Sequence, residues 1–239
     1  MKYEHIIFST SGALSTIVLN RPDKLNAYTP DMGDEIIDAY RKSIADDNII
    51  AIALLGSGKS FCAGADKEFL IGNKVSKLGL KIGEDEFISS FTQELSSTEK
   101  ILIAGIHGSA VGIGVTMVLP FDIRFATNDA LFSFPFTKLG ILPGLGSSFF
   151  LPELIGSSKA KEIILSNATI NAQDALQIGL INEIISDDNL ALRIQNEVSK
   201  YEKIDKKVIF AAKKAFMNNL EEKVQNAIKT EKDLLKTIR

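Results

Sequence analysis

Two buried apolar runs, each followed by a glycine turn and then a helical stretch, constrain the fold of this chain most. The run 49–55 leads into Ala63-Gly64-Ala65-Asp66, and the run 101–106 leads into the glycine-rich segment 108–114. Short, continuous apolar runs that are rich in β-branched residues and bounded by glycine indicate buried strands. The pattern therefore predicts an α/β fold with two strand-to-helix glycine turns.

The rest of the chain up to about residue 185 alternates strand-like and helix-like segments. A hairpin is predicted for 5–20, and Thr29-Pro30 predicts a helix start, because threonine caps helices and proline suits their first turn. After Ser186 the pattern is helical and contains no glycine. We therefore divide the chain into a core, 1–185, and a C-terminal helical region, 186–239. That region carries an apolar stripe, which we expect to pack partly on the core and partly on another subunit: Val208, Ala211, Ala212, Ala215 and Phe216.

Composition narrows the class of protein. With 239 residues, 45% of them hydrophobic, the chain can bury one sizeable core. A net charge of −3 gives no electrostatic footprint for nucleic acid. The longest apolar stretch, 110–121, is too short to span a bilayer, and the first ten residues lack the layout of a signal peptide. One cysteine and two histidines predict a reducing compartment and no metal site, so we expect a soluble cytoplasmic protein.

Two other site types are minor alternatives. Gly56-Ser57-Gly58-Lys59-Ser60 looks like the end of a phosphate-binding P-loop, but the glycine that such a loop needs five residues before Gly58 is replaced by Ala53. Ser109 beside His107 is the one candidate pair of a nucleophile and a base for a serine hydrolase. We expect His107 to be a packed, hydrogen-bonded side chain instead.

The two glycine turns carry the chemistry that the residues themselves indicate. Glycine lets the backbone come close to a ligand, and a helix N-terminus presents free N–H groups. Two such N–H groups aimed at one point form an oxyanion hole. The alternative is that both segments are ordinary strand-to-helix turns.

Several motifs give the chain a family resemblance. They are Leu19–Ala27 (LNRPDKLNA), Ser60–Asp66 (SFCAGAD), Phe121–Ala126 (FDIRFA), Leu139–Gly144 (LGILPG) and Ala175–Asn182 (ALQIGLIN). In this order, they resemble the crotonase (enoyl-CoA hydratase/isomerase) superfamily. The resemblance implies a ClpP-like spiral of β-β-α units and C-terminal helices that build homotrimers or dimers of trimers. It also implies an acyl-CoA thioester as substrate, with no further cofactor.

The resemblance assigns roles to residues around both turns. The oxyanion donors fall on the main-chain N–H groups of Ala65 and Ile113, where they would stabilise the enolate formed when a thioester loses its α-proton. Losing one such donor typically costs about 2.7–4 kcal/mol of barrier. The CoA-binding residues carried over are Lys24, Leu25, Ala27, Ala63, Gly64, Ala65 and Asp66, with the Ala63 carbonyl near the adenine.

The chain departs from the family at its carboxylates. Thr116 and Phe136 stand where hydratases carry their two glutamates. The segments Val111–Thr116 and Ser133–Gly140 resemble the Δ3-Δ2-enoyl-CoA isomerase branch, whose single glutamate matches Gly144 here. Because general acid–base assistance is typically worth about 10²–10⁴ in rate, these replacements make the identity of the base the central question.

Because the family glutamates are replaced, other residues must be considered as the base, and other functions as alternatives. Asp66 and Glu68 are possible bases, although Asp66 also suits a capping role and Glu68 a solvated helix face. The acids of a predicted helix over 84–98 are further candidates that we expect to face water: Glu84, Asp85, Glu86 and Glu94. Cys62 is interpreted as apolar filler or, alternatively, as a reactive thiol. The leading hypothesis is an enoyl-CoA isomerase. The alternatives are a catalytically weak or inactive acyl-CoA-binding or assembly protein, and a hydratase that uses an unrecognised base.

Overall fold

Two β-sheets organise the protein, of which a computed structural model describes residues 2–186 and 189–238. The strands are β1 (Ile6–Ser11), β2 (Leu14–Leu19), β3 (Ala51–Gly56), β4 (Ile101–Ile106), β5 (Ser109–Val111), β6 (Ile123–Thr127), β7 (Leu131–Ser133), β8 (Thr169–Asn171) and β9 (Glu183–Ile185). The larger sheet has the order β1-β2-β3-β4-β6-β9, and the smaller one has the order β5-β7-β8. This mixed α/β architecture confirms the predicted fold class.

The larger sheet places both glycine turns at the carboxyl ends of two neighbouring central strands. Strands β1 and β2 form the predicted antiparallel hairpin, with Ile6 opposite Leu19. Strands β2, β3, β4, β6 and β9 run parallel. Strand β4 is buried along its whole length, which explains its uninterrupted apolar sequence. Because β3 and β4 are parallel neighbours, their carboxyl ends lie side by side, and each leads into one of the two turns.

The helices are α1 (Pro30–Ala45), α2 (Lys67–Leu70), α3 (Thr92–Ser97), α4 (Ile113–Thr116), α5 (Ser147–Ile155), α6 (Ser157–Ser166), α7 (Ala172–Gln177), α8 (Leu190–Tyr201), α9 (Lys206–Ala215) and α10 (Leu220–Thr237). Short 3-10 helices cover Pro22–Lys24 and Thr137–Leu139. The predicted start of α1 is confirmed, because the Thr29 hydroxyl accepts the N–H of Met32 at 3.2 Å.

Two predicted helices differ from the observed ones. The segment predicted as a helix over 84–98 begins with a π-helix, Phe87–Phe91, before α3. The helix predicted after the second glycine turn ends at Thr116, because tighter i→i+3 bonds, such as Val118 N–H to the Val115 carbonyl at 3.1 Å, take over ahead of Pro120. Strands β5 and β8, three residues each, had no counterpart in the sequence pattern because runs of that length have no measurable period.

The C-terminal helices fold back on the core of the same chain. Helix α8 buries Leu190, Ile194 and Val198 against β4 and β6. Helix α10 contacts α3 and α5 and buries Val224 and Ile228. Its Glu231 carboxylate is buried and accepts the N–H groups at the start of α5: Gly146 at 3.0 Å and Ser148 at 2.8 Å. The predicted helical character of this region is confirmed.

Helix α9 is the exception, since none of its residues is buried. Its inward contacts come from the half-buried Ile209 and Phe210 and from Lys213, whose ammonium donates to the Lys100 carbonyl and pairs with Asp122, both at 2.7 Å. The stripe expected to pack partly on the core is instead exposed, with Val208 at 60% and Phe216 at 88% of their surface accessible. This part of the prediction was wrong, because the residues of α9 that pack on the core are Ile209 and Phe210, which lie outside the predicted stripe.

Candidate active site

The first glycine turn isolates the main-chain N–H of Ala65. Tyr28 pairs with Ala65 as a parallel bridge, in which the Tyr28 N–H donates to the Gly64 carbonyl and the Asp66 N–H donates to the Tyr28 carbonyl, both at 2.8 Å. The N–H and carbonyl of Ala65 therefore point away from Tyr28. Within residues 2–186 and 189–238, the Ala65 N–H donates to no protein acceptor. Gly64 has φ +98°, a conformation that L side chains rarely adopt.

The second glycine turn leaves a similar donor at Ile113. Gly112 has φ +53° and donates its N–H to the Ser133 carbonyl at 2.9 Å. Ile113 is the first residue of α4, so its N–H has no partner inside the helix. None of the described residues accepts a hydrogen bond from it. Because this donor belongs to the main chain, an isoleucine supplies it as well as a glycine does.

The two turns are held directly against one another. Cys62 bridges to Ala110, with its N–H donating to the Ser109 carbonyl at 3.0 Å and its carbonyl accepting the Val111 N–H at 2.9 Å. A Cβ placed on Gly114 would overlap the Cys62 carbonyl and lie 2.9 Å from the Cys62 Cβ. The close contact therefore requires glycine at position 114 and fixes one donor turn relative to the other.

The loop that carries Lys24, Leu25 and Ala27 joins the first turn. The Ala63 N–H donates to the Leu25 carbonyl at 3.0 Å, so these predicted CoA-binding residues lie together. Leu25 and the buried Asn26 have φ values of +50° and +54°. The Asn26 side-chain amide donates to the carbonyls of Ser57 and Ser60, both at 2.8 Å. The P-loop-like stretch 56–60 thus anchors this loop through its main-chain carbonyls.

The two proposed substitute bases are engaged elsewhere. The Asp66 carboxylate caps α2 by accepting the Glu68 N–H at 3.0 Å and forms an ion pair with Arg21 at 3.0 Å. Arg21 also donates to the Ala27 carbonyl, which ties the loop of Lys24, Leu25 and Ala27 to the first turn. The Glu68 side chain is 60% exposed and pairs with Lys74 at 3.0 Å. Neither carboxylate is free of a cationic partner.

Among the acids of segment 84–98, Asp85 overturns the expectation of solvent exposure. Its side chain is fully buried and lies 2.5 Å from the Tyr28 hydroxyl. The Glu86 and Glu94 side chains form ion pairs with Arg41, and Glu84 accepts the Lys81 N–H at 3.0 Å. A water-facing position was expected for all four acids, but the Asp85 carboxylate instead accepts the Tyr28 hydroxyl and the N–H groups of Gly83 and Ile88.

The three positions at which the resemblance predicts family carboxylates differ in character. Thr116 and Phe136 are buried. The Phe136 ring lies 3.9 Å from where a Cβ on Gly112 would stand, so an apolar ring borders the second donor turn. At Gly144, by contrast, an added Cβ meets no atom within 4 Å, and the residue is only half-buried. An apolar ring therefore borders the second turn, and Gly144 has room for a side chain.

Cys62 and His107 have structural roles. Cys62 is fully buried between the turns, and burial raises the pKa of its thiol to about 11, so it is protonated near pH 7 and inaccessible. The His107 Nε2 lies 3.0 Å from the Gly58 carbonyl, which places it against the 56–60 stretch. In the part of the chain that the structure describes, no cluster of three or more His, Cys, Asp or Glu side chains is arranged to hold a metal.

Three residues that shape the site went unassigned in the sequence: Arg21, Asn26 and Tyr28. All three lie in or next to the motif Leu19–Ala27, which carries the family resemblance. Beside local bonds within the motif, each side chain has a partner 31–57 residues away, in a segment that only the fold brings close. The signal available in the sequence was a polar residue inside the motif. If the fold buries such a residue, its side chain requires a hydrogen-bond partner from elsewhere in the chain.

Comparison with known proteins decides the family. The family model described as "Enoyl-CoA hydratase/isomerase" matches residues 9–239. This chain belongs to the enoyl-CoA hydratase/isomerase family, the crotonase superfamily. It is 34% identical over 208 residues to the short-chain-enoyl-CoA hydratase of Clostridium acetobutylicum, covering 83% of this chain and 76% of that protein.

Two further similarities extend the comparison. The 1,2-epoxyphenylacetyl-CoA isomerase of Escherichia coli K12 is 30% identical over 192 residues, covering 79% of this chain and 72% of that protein. The crystal structure of an enoyl-CoA hydratase from Bacillus halodurans superimposes with a TM-score of 0.89 at 26% identity, covering 98% of this chain and 95% of that one. Among residues 2–186 and 189–238, no helix combines the length and apolarity needed to cross a bilayer.

Proposed function

We propose that this member of the family isomerises 3-enoyl-CoA to trans-2-enoyl-CoA. The observation that carries the proposal is the pair of main-chain N–H groups, at Ala65 and Ile113, that have no protein acceptor among the described residues. They belong to turns packed against each other. A thioester oxygen that accepts both N–H groups would gain stabilisation as negative charge develops on it.

The reaction needs one proton carrier. A base takes a proton from C2, the electron pair of the C–H bond delocalises onto the thioester oxygen as an enolate, and the proton returns to C4. The C3=C4 double bond becomes C2=C3, so no atom is gained or lost. Asp66 and Glu68 are our candidate carriers, since they follow the first donor by one and three residues. Each carboxylate is held in an ion pair, Asp66 with Arg21 and Glu68 with Lys74, and has to leave that contact to reach a substrate, so we expect slow turnover.

Isomerisation is favoured over hydration by the apolar ring of Phe136. Hydration requires a polar group to hold and deprotonate a water molecule next to C3. The buried Phe136 borders the second donor turn and offers no hydrogen-bond acceptor. Isomerisation, in contrast, moves one proton within the substrate and requires no bound water.

The CoA moiety is assigned to the loop next to the first turn. We propose that Lys24, Leu25 and Ala27 line the CoA, with the Ala63 carbonyl near the adenine and Gly64 to Asp66 beside the thioester. The bond from the Ala63 N–H to the Leu25 carbonyl holds these segments together and supports the assignment. The left-handed Leu25 and Asn26 give the loop a fixed shape for recognising a ligand.

A second function, acyl-CoA binding without useful turnover, is favoured by the state of the buried carboxylates. Those among the described residues are Glu35, Asp66, Asp85 and Glu231. Each accepts two or more hydrogen bonds or forms an ion pair. A protein that kept the oxyanion donors but lacked a free base would bind and polarise a thioester without converting it.

An activity assay separates these two functions. The purified chain is incubated with a 3-enoyl-CoA and, separately, with a trans-2-enoyl-CoA, and the products are quantified by chromatography. We expect isomerisation above the uncatalysed rate and hydration at background. Saturable acyl-CoA binding with both rates at background would contradict the isomerase proposal and establish the binding function.

We also propose that the chain assembles as a homotrimer or a dimer of trimers through the outer face of α9. Val208 on α9 and Phe216, the residue that follows its last turn, expose apolar surface that no other described part of the same chain covers. Burying exposed apolar area stabilises association by roughly 25 cal/mol per Å² before the costs of association. Light scattering on the purified chain should give a mass of three or six subunits, and a monomer mass at micromolar concentration would contradict the proposal.

A further inference from the structure

Tyr28 sets the orientation of the first donor turn through its main chain. Its N–H and carbonyl bond Gly64 and Asp66, the residues on either side of Ala65, at 2.8 Å each. Any displacement of Tyr28 therefore moves the peptide unit that carries the Ala65 N–H. The hydrogen bonds of an oxyanion hole are effective over a narrow range of distances, about 2.7–3.1 Å.

The Tyr28 side chain is fixed at its far end by a buried carboxylate. The fully buried hydroxyl donates to Asp85 Oδ1 at 2.5 Å, and the ring packs on Phe87 with 5.2 Å between centroids. Helix α1 is shaped around this hydroxyl, because a Cβ on Gly33 would overlap it. Burial and the neighbouring Asp85 carboxylate hold the pKa of Tyr28 well above its usual value, so the hydroxyl remains a donor.

Asp85 connects this hydroxyl to the segment that precedes the π-helix. It is fully buried and accepts the N–H groups of Gly83 at 2.9 Å and Ile88 at 3.1 Å in addition to the Tyr28 hydroxyl. No lysine, arginine or histidine in residues 2–186 and 189–238 forms an ion pair with it. Burying an unpaired carboxylate is costly, and three donors offset that cost.

We propose that Tyr28 and Asp85 are positioning residues for the oxyanion hole, and that their hydrogen bond holds the Ala65 N–H in its productive orientation. The inference rests on the proposed function, because it concerns the donor that we assign to the thioester oxygen. The Asp85 carboxylate accepts the N–H groups of Gly83 and Ile88. The Tyr28 hydroxyl donates to Asp85, and the Tyr28 main chain bonds the residues on either side of Ala65. The donor is thus fixed by a chain of hydrogen bonds that starts at the buried Asp85 and reaches the main chain on both sides of Ala65.

The test is Tyr28→Phe, which removes one oxygen and keeps the ring. The matched control is Tyr40→Phe, since the buried Tyr40 also lies on the α1 side of the π-helix but donates to the Glu94 carbonyl at 3.1 Å and has no contact with the donor turn. The probe is butyryl-CoA labelled with carbon-13 at the thioester carbonyl. Its C=O stretching frequency at saturation reports polarisation by the oxyanion hole, independently of turnover or global stability.

In the wild-type protein we expect the carbonyl band to move to lower frequency on binding. Tyr28→Phe should lose at least half of that displacement and lower kcat for isomerisation about 10- to 100-fold, with KM changed less than about twofold. Tyr40→Phe should retain the full displacement and a kcat within about twofold of the wild-type value. Asp85→Asn, which keeps the size of the side chain but replaces one acceptor oxygen by a donor, should also reduce the displacement.

Each alternative result is decisive. A wild-type displacement that Tyr28→Phe retains in full would overturn the positioning role while leaving the proposed oxyanion hole intact. Bound butyryl-CoA whose band does not move even in the wild-type protein would overturn the proposed function, and the inference with it. If neither Tyr28→Phe nor Asp85→Asn folds, the pair serves stability alone and the positioning role is also overturned.

Discussion

Gly144→Glu is expected to raise the rate of 3-enoyl-CoA isomerisation by about 10²–10⁴-fold, the usual contribution of general acid–base catalysis. The sequence resemblance predicts Gly144 to stand where the isomerase branch carries its glutamate. The site accepts a side chain, because an added Cβ meets no atom within 4 Å and φ lies outside the left-handed region. The measurement is kcat/KM for conversion of a 3-enoyl-CoA to the trans-2-enoyl-CoA.

Two variants at the same position serve as controls. Gly144→Ala adds a methyl group without a functional group, and Gly144→Gln adds a side chain of the same size that cannot accept a proton. Both should keep the wild-type rate to within about threefold, since side chains at a position with open space seldom disturb the backbone. A glutamate variant no faster than the glutamine variant would show that a missing base does not limit the rate.

Gly114→Ala is expected to cause the largest loss. The new Cβ would overlap the Cys62 carbonyl and lie 2.9 Å from the Cys62 Cβ, so the two donor turns must move apart. Overpacking of this kind typically lowers the free energy of unfolding by about 1–3 kcal/mol. Because a misplacement of about 1 Å at a reacting centre can reduce the rate 10²-fold, we expect at least that loss in kcat for the folded fraction.

Denaturant unfolding and single-turnover kinetics on the same preparation measure the two effects of Gly114→Ala separately. The control is Gly144→Ala, which adds the same methyl group where no atom lies within 4 Å. The separation of the turns is refuted if Gly114→Ala retains both the wild-type unfolding free energy and the wild-type kcat. Loss of stability with an unchanged kcat would show that the contact holds the fold but not the donor geometry.

The sequence predicts those parts of the fold that rest on a long, regular pattern. The apolar runs before the two glycine turns are the central strands β3 and β4, and Thr29-Pro30 starts α1. The pattern after Ser186 predicts helices but not which face of each helix is buried. Helix α9 illustrates the reason: an apolar stripe shows that a surface is buried by something, but does not show by what.

The site is predicted only where it depends on local backbone chemistry. The turns at Gly64 and Gly112 adopt left-handed φ values, and their glycines were recognisable as the means for a close backbone approach. The bond between Tyr28 and Asp85 joins residues 57 positions apart, and no periodicity reports it. Asp85 has acidic neighbours on both sides, and the hydrogen bonds that accompany its burial, from Gly83, Ile88 and the distant Tyr28, leave no mark in the local pattern.

For the carboxylates, too, the sequence predicts one part and only the structure shows the other. Their absence at Thr116, Phe136 and Gly144 can be read from the sequence. That Asp66 is neutralised by Arg21, and that Glu231 is used to cap α5, follows only from contacts between distant segments. The structure thereby turns an open list of possible bases into a specific expectation: an intact oxyanion hole with poorly placed proton carriers.

The most direct test of this account is a crystal structure of the protein with a bound, unreactive acyl-CoA such as butyryl-CoA. The distances from the thioester oxygen to the amide nitrogens of Ala65 and Ile113 are the quantities to measure. We predict both to be about 2.7–3.1 Å, the range of effective oxyanion-hole donors. A thioester oxygen that contacts neither nitrogen, or an acyl-CoA bound away from both turns, would contradict the central claim.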